Sequence, residues 1–493
     1  MTTAGGYAMI QTVLVADYGT SNVRVLAVDV SCGACVASNS VKYSATEGQG
    51  GLCELDANAI WESTQLCVER TLTQAMQLGC QIRGISFSFF GDSLLPVDAT
   101  GEPIGPLILC MDPRGQEEAD ELTQKLTQAR LIELVGSEYD FACTGAKILH
   151  FLRHSAEARR AERFYTIQQF ILRKLGLPDV NDVTMACRKS LLDNRRRVWS
   201  EELLRAIGIT AEQLGAITDG YCPLGSIERF GRVILPYAIT VFPGAHDSDC
   251  GYVGLGISDL HSGAVAEVAG TFDHIGMIVP GYVNAHQEHP DASIWSGCGP
   301  LPQSTSCLSA YETSGALMEW FMRQIAGSTA PEAYAQLWNA AVFDASGTVS
   351  VDPRFSAGQG AISGLTVGTT RAELFAGVIE TLTFETRRCL EVCNSVAPEP
   401  IRCVRIGGGG AKESRWVQLR ADITGIPYQR MREVEGSALG AAILAAYGLG
   451  IYRTIPEAAD HMVAVERTYE PRQELHARYE QRYQAYLRRY ARR

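Results

Sequence analysis

The feature that most constrains this chain is a hairpin that occurs twice. Residues 13–16 form a short apolar run, Asp17-Tyr18-Gly19-Thr20-Ser21-Asn22 interrupts it with polar, turn-forming residues, and 23–30 resumes an extended apolar pattern. Residues 264–269 repeat the device, apolar apart from Glu267, before Gly270-Thr271 breaks the run and 272–279 resumes it. Short apolar runs bounded by glycine and polar turn residues read as strands joined by a tight turn. Two such hairpins with Gly-Thr tips, set about half of the 493 residues apart, predict a duplicated fold whose halves face one another. A cleft between similar domains is a usual place for a small molecule.

The intervening pattern alternates. Residues 82–90 and 233–241 read as strands, 119–135 as a helix and 149–175 as charged helical segments. In the second half, 370–392 carries apolar residues at helical spacing, 401–406 reads as a strand entering Gly407-Gly408-Gly409-Gly410, and a helix follows over 414–424. Such alternation predicts an α/β fold. The length exceeds what one core organises, and the expected division is a first domain over 1–255 and a second over 256–493.

A formal charge of −12 argues against a nucleic-acid or anionic-membrane binder, because phosphates need an excess of cations. Fifteen cysteines, an odd number, with no leader-like or spanning apolar segment before them, predict a reducing, cytoplasmic location. Cys32 and Cys35 make one C-x-x-C without a second ligand pair, so a turn between strands is expected rather than a zinc site. Tyr479, Tyr483, Tyr486 and Tyr490 recur at helical spacing among arginines, which predicts a helix packing a tyrosine stripe on the body.

Several groups carry chemistry. At the first hairpin tip Gly19 allows close approach of a ligand, Thr20 and Ser21 offer donors, Arg24 can meet phosphate charge, and Asp17 can hold a hydrated Mg2+. Gly270-Thr271 can clamp the same ligand from the other domain. The glycine run at 407–410 lies between strand and helix, where backbone donors favour an anion, yet it matches neither a G-x-x-x-x-G-K-[ST] loop nor a dinucleotide fingerprint. Asp247 follows a strand and small residues, which suits a carboxylate that takes a proton from a hydroxyl nucleophile; Asp249 competes for that role, and His246 reads as structural. Asp92, Asp112 and Arg114 follow strands and suit a hydroxylated substrate.

In order along the chain, Asp17-Tyr18-Gly19-Thr20 with Arg24, Met111-Asp112-Pro113-Arg114, Gly244-Ala245-His246-Asp247 and Ala269-Gly270-Thr271 form one set of motifs. Ser314-Gly315 with Glu319-Trp320, Gly360-Ala361-Ile362-Ser363-Gly364-Leu365 leading to Glu380, Gly408-Gly409-Gly410-Ala411-Lys412 and Gly436-Ser437-Ala438-Leu439-Gly440-Ala441 complete it. The ordered set resembles the FGGY family of carbohydrate kinases. That resemblance implies two actin-like, ribonuclease H-like domains around a central cleft, ATP and Mg2+ as cofactors, and a small-molecule sugar as substrate. It implies that Thr20, Ser21 and Arg24 face the phosphates with Gly270 and Thr271 opposite, that Gly315, Glu319, Gly409, Gly410 and Ala411 line the nucleotide, that Asp247 is the base and that Asp17 lies near the metal. It leaves a homodimer open.

Departures from the family pattern bear on the substrate. Glu413 stands where many members carry Ser or Asn, and Gly377 where Ala or Ser is usual. Xylulose kinases usually show Gln-Met-His-Gly where this chain has Phe90-Gly91-Asp92-Ser93; the Phe90-Gly91 pair is closer to that of the fuculose and rhamnulose kinases, whose Asp falls one residue later, at the position of Ser93. The expected acceptor is a ketopentose or methylpentulose; a polyol, a sugar acid, a dihydroxy ketone signal and a non-catalytic actin-like sensor stay open as alternatives.

Overall fold

Both repeated hairpins form, and each belongs to its own seven-stranded sheet. The computed structural model describes residues 9–270, 273–290, 293–311, 314–355, 358–432 and 435–490. In the first sheet Ile10–Tyr18, Asn22–Asp29 and Cys35–Lys42 form an antiparallel meander. Cys80–Phe89 runs parallel to the free side of the first strand and carries Val233–Val241 and Ala245–His246 in parallel. The second sheet repeats this: Ala264–Ala269, Asp273–Pro280 and Ser304–Tyr311 form the meander, while Cys403–Gly408 and then Tyr428–Met431 add in parallel. The α/β class and the duplication read from the two hairpins are what the molecule has.

Strand Ile10–Tyr18 is buried continuously from Thr12 onward. A strand covered on both faces reads as an unbroken apolar run rather than an alternating one. Helix Ala57–Gln77, capped by Asp56 accepting from the Asn58 and Ala59 amides, covers one face. The other face is covered by Gly436–Gly448, a helix from the far end of the chain, while helix Asp247–Gly254 packs on strands Ala264–Ala269 and Asp273–Pro280. Each half thus lends a helix to the sheet of the other. The two helices cross so closely that a Cβ on Gly440 would stand 1.8 Å from the Cys250 carbonyl oxygen, and one on Gly254 would stand 1.9 Å from that of Gly436. Glycine is required at both positions.

Helix Arg371–Val396 starts with a capping box between Thr370 and Glu373 and packs on the second meander. The C-terminal helix Gln473–Tyr490 lies against it with Tyr479, Tyr483 and Tyr486 buried, their hydroxyls donating to Glu380, Glu391 and Glu385. A Cβ on Gly377 would stand 2.5 Å from Val349 Cγ1, so that departure from the family pattern is a packing adjustment.

Two expected elements differ. The helix read over 119–135 is two, Gln116–Leu126 and Gln128–Val135, broken at Thr127, whose φ of 68° leaves the helical region. The segment read as helical over 149–175 contains a strand, Arg163–Tyr165, because Phe164 and Tyr165 are buried in pairing with Leu95–Val97. Among the described residues no helix is long and apolar enough to cross a membrane.

Candidate functional site

Gly244 turns the chain at the end of the first sheet. Its φ is 69°, and a Cβ there would stand 1.8 Å from the Phe87 carbonyl oxygen, so the backbone can lie against Cys80–Phe89 only with glycine. The turn buries His246 and places Asp247 and Asp249 in the first turn of helix Asp247–Gly254, where the helix dipole favours negative charge. The two carboxylates then part company. Asp249, 2% exposed, faces His246 Nδ1 at 3.1 Å and accepts from the Ser306 hydroxyl. Asp247 is 38% exposed; its Oδ1 accepts from the Ser248 amide at 2.6 Å and lies 3.1 Å from His246 Nε2.

Asp247 lines a cavity of about 430 Å³ between the halves, with Arg24, His274, Gly408, Lys412 and Glu435 on other walls. Burial holds the His274 imidazole down at about 4. At the first hairpin Arg24 is held by Asp17 at 2.7 Å and, across the cleft, by Glu435. Thr20 and Ser21 are exposed at the tip, in a turn closed by the Gly19 amide on the Asn22 carbonyl at 3.0 Å, and neither lines the cavity. Thr271 lies outside the described residues.

A second cavity of about 490 Å³ collects Gly270, Gly315, Glu319, Gly409 and Gly410 with the aromatic Trp338 and Trp416. Gly409 lines both cavities, which therefore meet at the glycine run. Ala411 is not a wall; it is 4% exposed and packs into the core behind. The run is packed hard against the second hairpin: a Cβ on Gly410 would stand 2.7 Å from that of Ala269. Beneath it Arg420, fully buried, pairs with Glu267 at 2.6 Å and Asp273 at 3.1 Å and lies 4.0 Å over the Trp416 ring. Tyr311 and Ser314 also donate to Asp273. Burial raises both carboxyls, against the pull of Arg420. The cluster ties the second hairpin to helix Ser414–Thr424, which follows the glycine run. Glu413 caps that helix, accepting from the Arg415 amide at 3.0 Å and pairing with its guanidinium.

A third cavity, about 510 Å³, holds Asp92, Asp140, Arg188, His286 and Trp295. Arg188 stacks 3.9 Å over Trp295 of the second half, stands 3.9 Å from the Asp92 carboxylate, and reaches within 3.4 Å of His246 Nδ1. Burial raises the Asp92 carboxyl, opposed by Arg188 and His246. Gly91 is glycine because a Cβ would stand 2.8 Å from the His246 ring. Asp92, Arg188, His246 and Asp247 thus form a contiguous polar line from this cavity to the first.

Asp112 and Arg114 do not belong to that line, contrary to the expectation from sequence. The Asp112 side chain is fully buried, and both its oxygens are taken by Arg114, at 2.8 and 2.7 Å, with the Cys53 amide at 2.9 Å. Arg114 is further engaged by Glu54 at 2.5 Å. The pair is a strut between segments, because a carboxylate enclosed by these donors has no face left for a ligand. Conversely, sequence reasoning passed over Arg188 and Trp295, which carry no motif and meet only because the halves come together.

The family models for the N-terminal and C-terminal domains of the FGGY family of carbohydrate kinases match residues 12–254 and 309–449. A xylulose kinase of Staphylococcus epidermidis is 25% identical over 498 residues, covering 97% of this chain and 96% of the relative. A glycerol kinase of Methylibium petroleiphilum is 28% identical over 483 residues, covering 92% and 94%. Among solved structures, a ligand-bound xylulose kinase from Lactobacillus acidophilus superposes with a TM-score of 0.87 at 20% identity, covering 97% of each chain. A gluconate kinase from the same species gives 0.86 at 21%, again covering 97% of each.

Proposed function

Because the chain belongs to the FGGY family of carbohydrate kinases, we propose that it transfers a phosphoryl group from ATP to a hydroxyl of a ketopentose or methylpentulose, with Asp247 as general base. That it is a phosphotransferase with an alcohol acceptor follows from the family itself. The observation that carries the finer reading is the open carboxylate of Asp247, joined through His246 and Arg188 to Asp92. A sugar seated against Asp92 in the third cavity presents a hydroxyl toward Asp247. Asp247 orients that hydroxyl and takes its proton as the oxygen attacks phosphorus. Asp249 is the weaker candidate, since its oxygens already serve His246 and Ser306.

The second cavity fits a nucleotide: aromatic side chains suit a base, and the glycine run leaves room for a backbone-lined phosphate path toward Asp247. In this reading Gly315, Glu319, Gly409 and Gly410 line the nucleotide, Thr20, Ser21, Arg24, Gly270 and Thr271 approach its phosphates, and the domains divide at residue 255. Mg2+ neutralises phosphate charge in such enzymes, and in this reading Asp17, paired with Arg24 at 2.7 Å, would hold its waters. Arg24 must then exchange Glu435 for phosphate. A sugar acid is the second reading, favoured by the Arg188 guanidinium on the wall of the third cavity.

The test is an ADP-release assay over ketopentoses, methylpentuloses, glycerol, gluconate and a dihydroxy ketone. A ketopentose or methylpentulose should give the highest kcat/KM. Preference for glycerol or gluconate would overturn the substrate, and ADP release indifferent to every acceptor would overturn the base assignment.

A further inference from the structure

We propose that Glu118, His150 and His154 form a zinc-binding site on the first half, outside the cavities described above. His150 and His154 lie four residues apart on helix Thr144–His154, so both rings project from one face. Helix Gln116–Leu126 packs against that face and supplies Glu118. His150 Nδ1 lies 3.1 Å from one carboxylate oxygen and His154 Nε2 lies 3.3 Å from the other. One ligand atom from each residue can be chosen so that all lie within 4.8 Å of one another. Tetrahedral zinc, with nitrogen and oxygen ligands at roughly 2.0–2.2 Å, sets its ligand atoms about 3.3–3.6 Å apart; each ring already stands near that distance from one of the two Glu118 oxygens, and side-chain rotation that brings one oxygen to both rings closes the set.

The chemistry of the set points to the same ion. Two imidazoles and one carboxylate are a borderline donor set suited to zinc rather than to Mg2+ or Ca2+, which take oxygen ligands. Glu118 is 2% exposed, so its charge faces the two rings rather than water, whereas His154 is 59% exposed and leaves a route for entry and a position for a water ligand. The neighbouring cation does not oppose an ion: Arg153 is held by Glu121 through two contacts of 2.7 and 2.9 Å.

Zinc here would staple helix Gln116–Leu126 to a helix rooted in the substrate side. Ala142 and Cys143, just ahead of helix Thr144–His154, line the third cavity, and Lys147 on its first turns donates to the carbonyls of Asp112 and Phe141.

The experiment is a titration of the EDTA-treated full chain with Zn2+ against a chromophoric chelator, without nucleotide or Mg2+. One zinc per chain should bind. His154→Ala should weaken that binding by at least about tenfold, since loss even of an outer-shell partner costs about 10–100-fold, and Glu118→Gln should do the same. Cys32→Ser should leave it unchanged, which separates this site from the exposed C-x-x-C. Because His154 is exposed, its alanine variant should keep the wild-type melting temperature without metal. No bound zinc, or zinc held equally well by His154→Ala, overturns the proposal.

Discussion

Replacing Asp247 by Asn removes a proton acceptor while leaving its surroundings almost untouched. The carboxylate Oδ1 accepts from the Ser248 amide at 2.6 Å, and an asparagine carbonyl oxygen can accept the same bond. The side chain is 38% exposed, so no buried charge is created or orphaned. Folding stability and ATP affinity should therefore stay near those of the parent. What disappears is the base, and general-base assistance is worth about 10²–10⁴-fold. At about 1.36 kcal/mol per tenfold, this amounts to roughly 3–5 kcal/mol of transition-state stabilisation. The assay is steady-state kcat with the best acceptor, with nucleotide affinity measured separately by calorimetry. Asp249→Asn is the informative control. It disturbs a buried carboxylate that holds His246 and Ser306, and so should lower the melting temperature. Full turnover by Asp247→Asn would refute the reasoning, as would a variant whose activity loss only tracks lost stability.

Asp92→Ala should lower kcat/KM for the true sugar by roughly ten- to a hundredfold, as loss of a charged hydrogen-bond partner implies, and should reorder the acceptor panel with little change in ATP affinity. Unchanged ranking with reduced stability would make Asp92 a loop cap. Arg420→Met leaves Glu267 and Asp273 buried without their cation, and breaking such a pair costs about 3–5 kcal/mol, which urea unfolding should register along with weaker nucleotide binding. Lys189 is fully buried, donating to the Phe164 carbonyl and Gln169, and burial lowers its pKa from 10.5 to about 7. Between those values the unfolded chain binds a proton that the folded chain does not. Its contribution to stability must therefore rise with pH from about 7 toward 10.5. Lys189→Met should remove that slope in unfolding curves taken across the window; an identical slope in the variant would place the proton elsewhere.

What the sequence determined by itself was local. Residues 233–241, 264–269 and 414–424 have the bounds read from them, because apolar period and glycine or polar boundaries act over a few neighbouring residues. The duplication was legible for the same reason: a hairpin tip is one short signal, and it occurs twice. Asp247 stood out because small residues after a strand leave space beside a carboxylate. The tertiary structure decided which charged groups keep water. Asp112-Pro113-Arg114 reads as a ligand set, yet burial turns it into a strut, whereas Asp92 opens on a cavity shared with Arg188 and Trp295. Likewise Gly436 and Gly440 were visible as a motif, but not the helix Asp247–Gly254 they pack against, nor the Arg420 cluster beneath the glycine run. Those partners come from distant segments. Whether a carboxylate faces solvent, a cation or another backbone depends on how the halves pack, and no spacing within one segment records that.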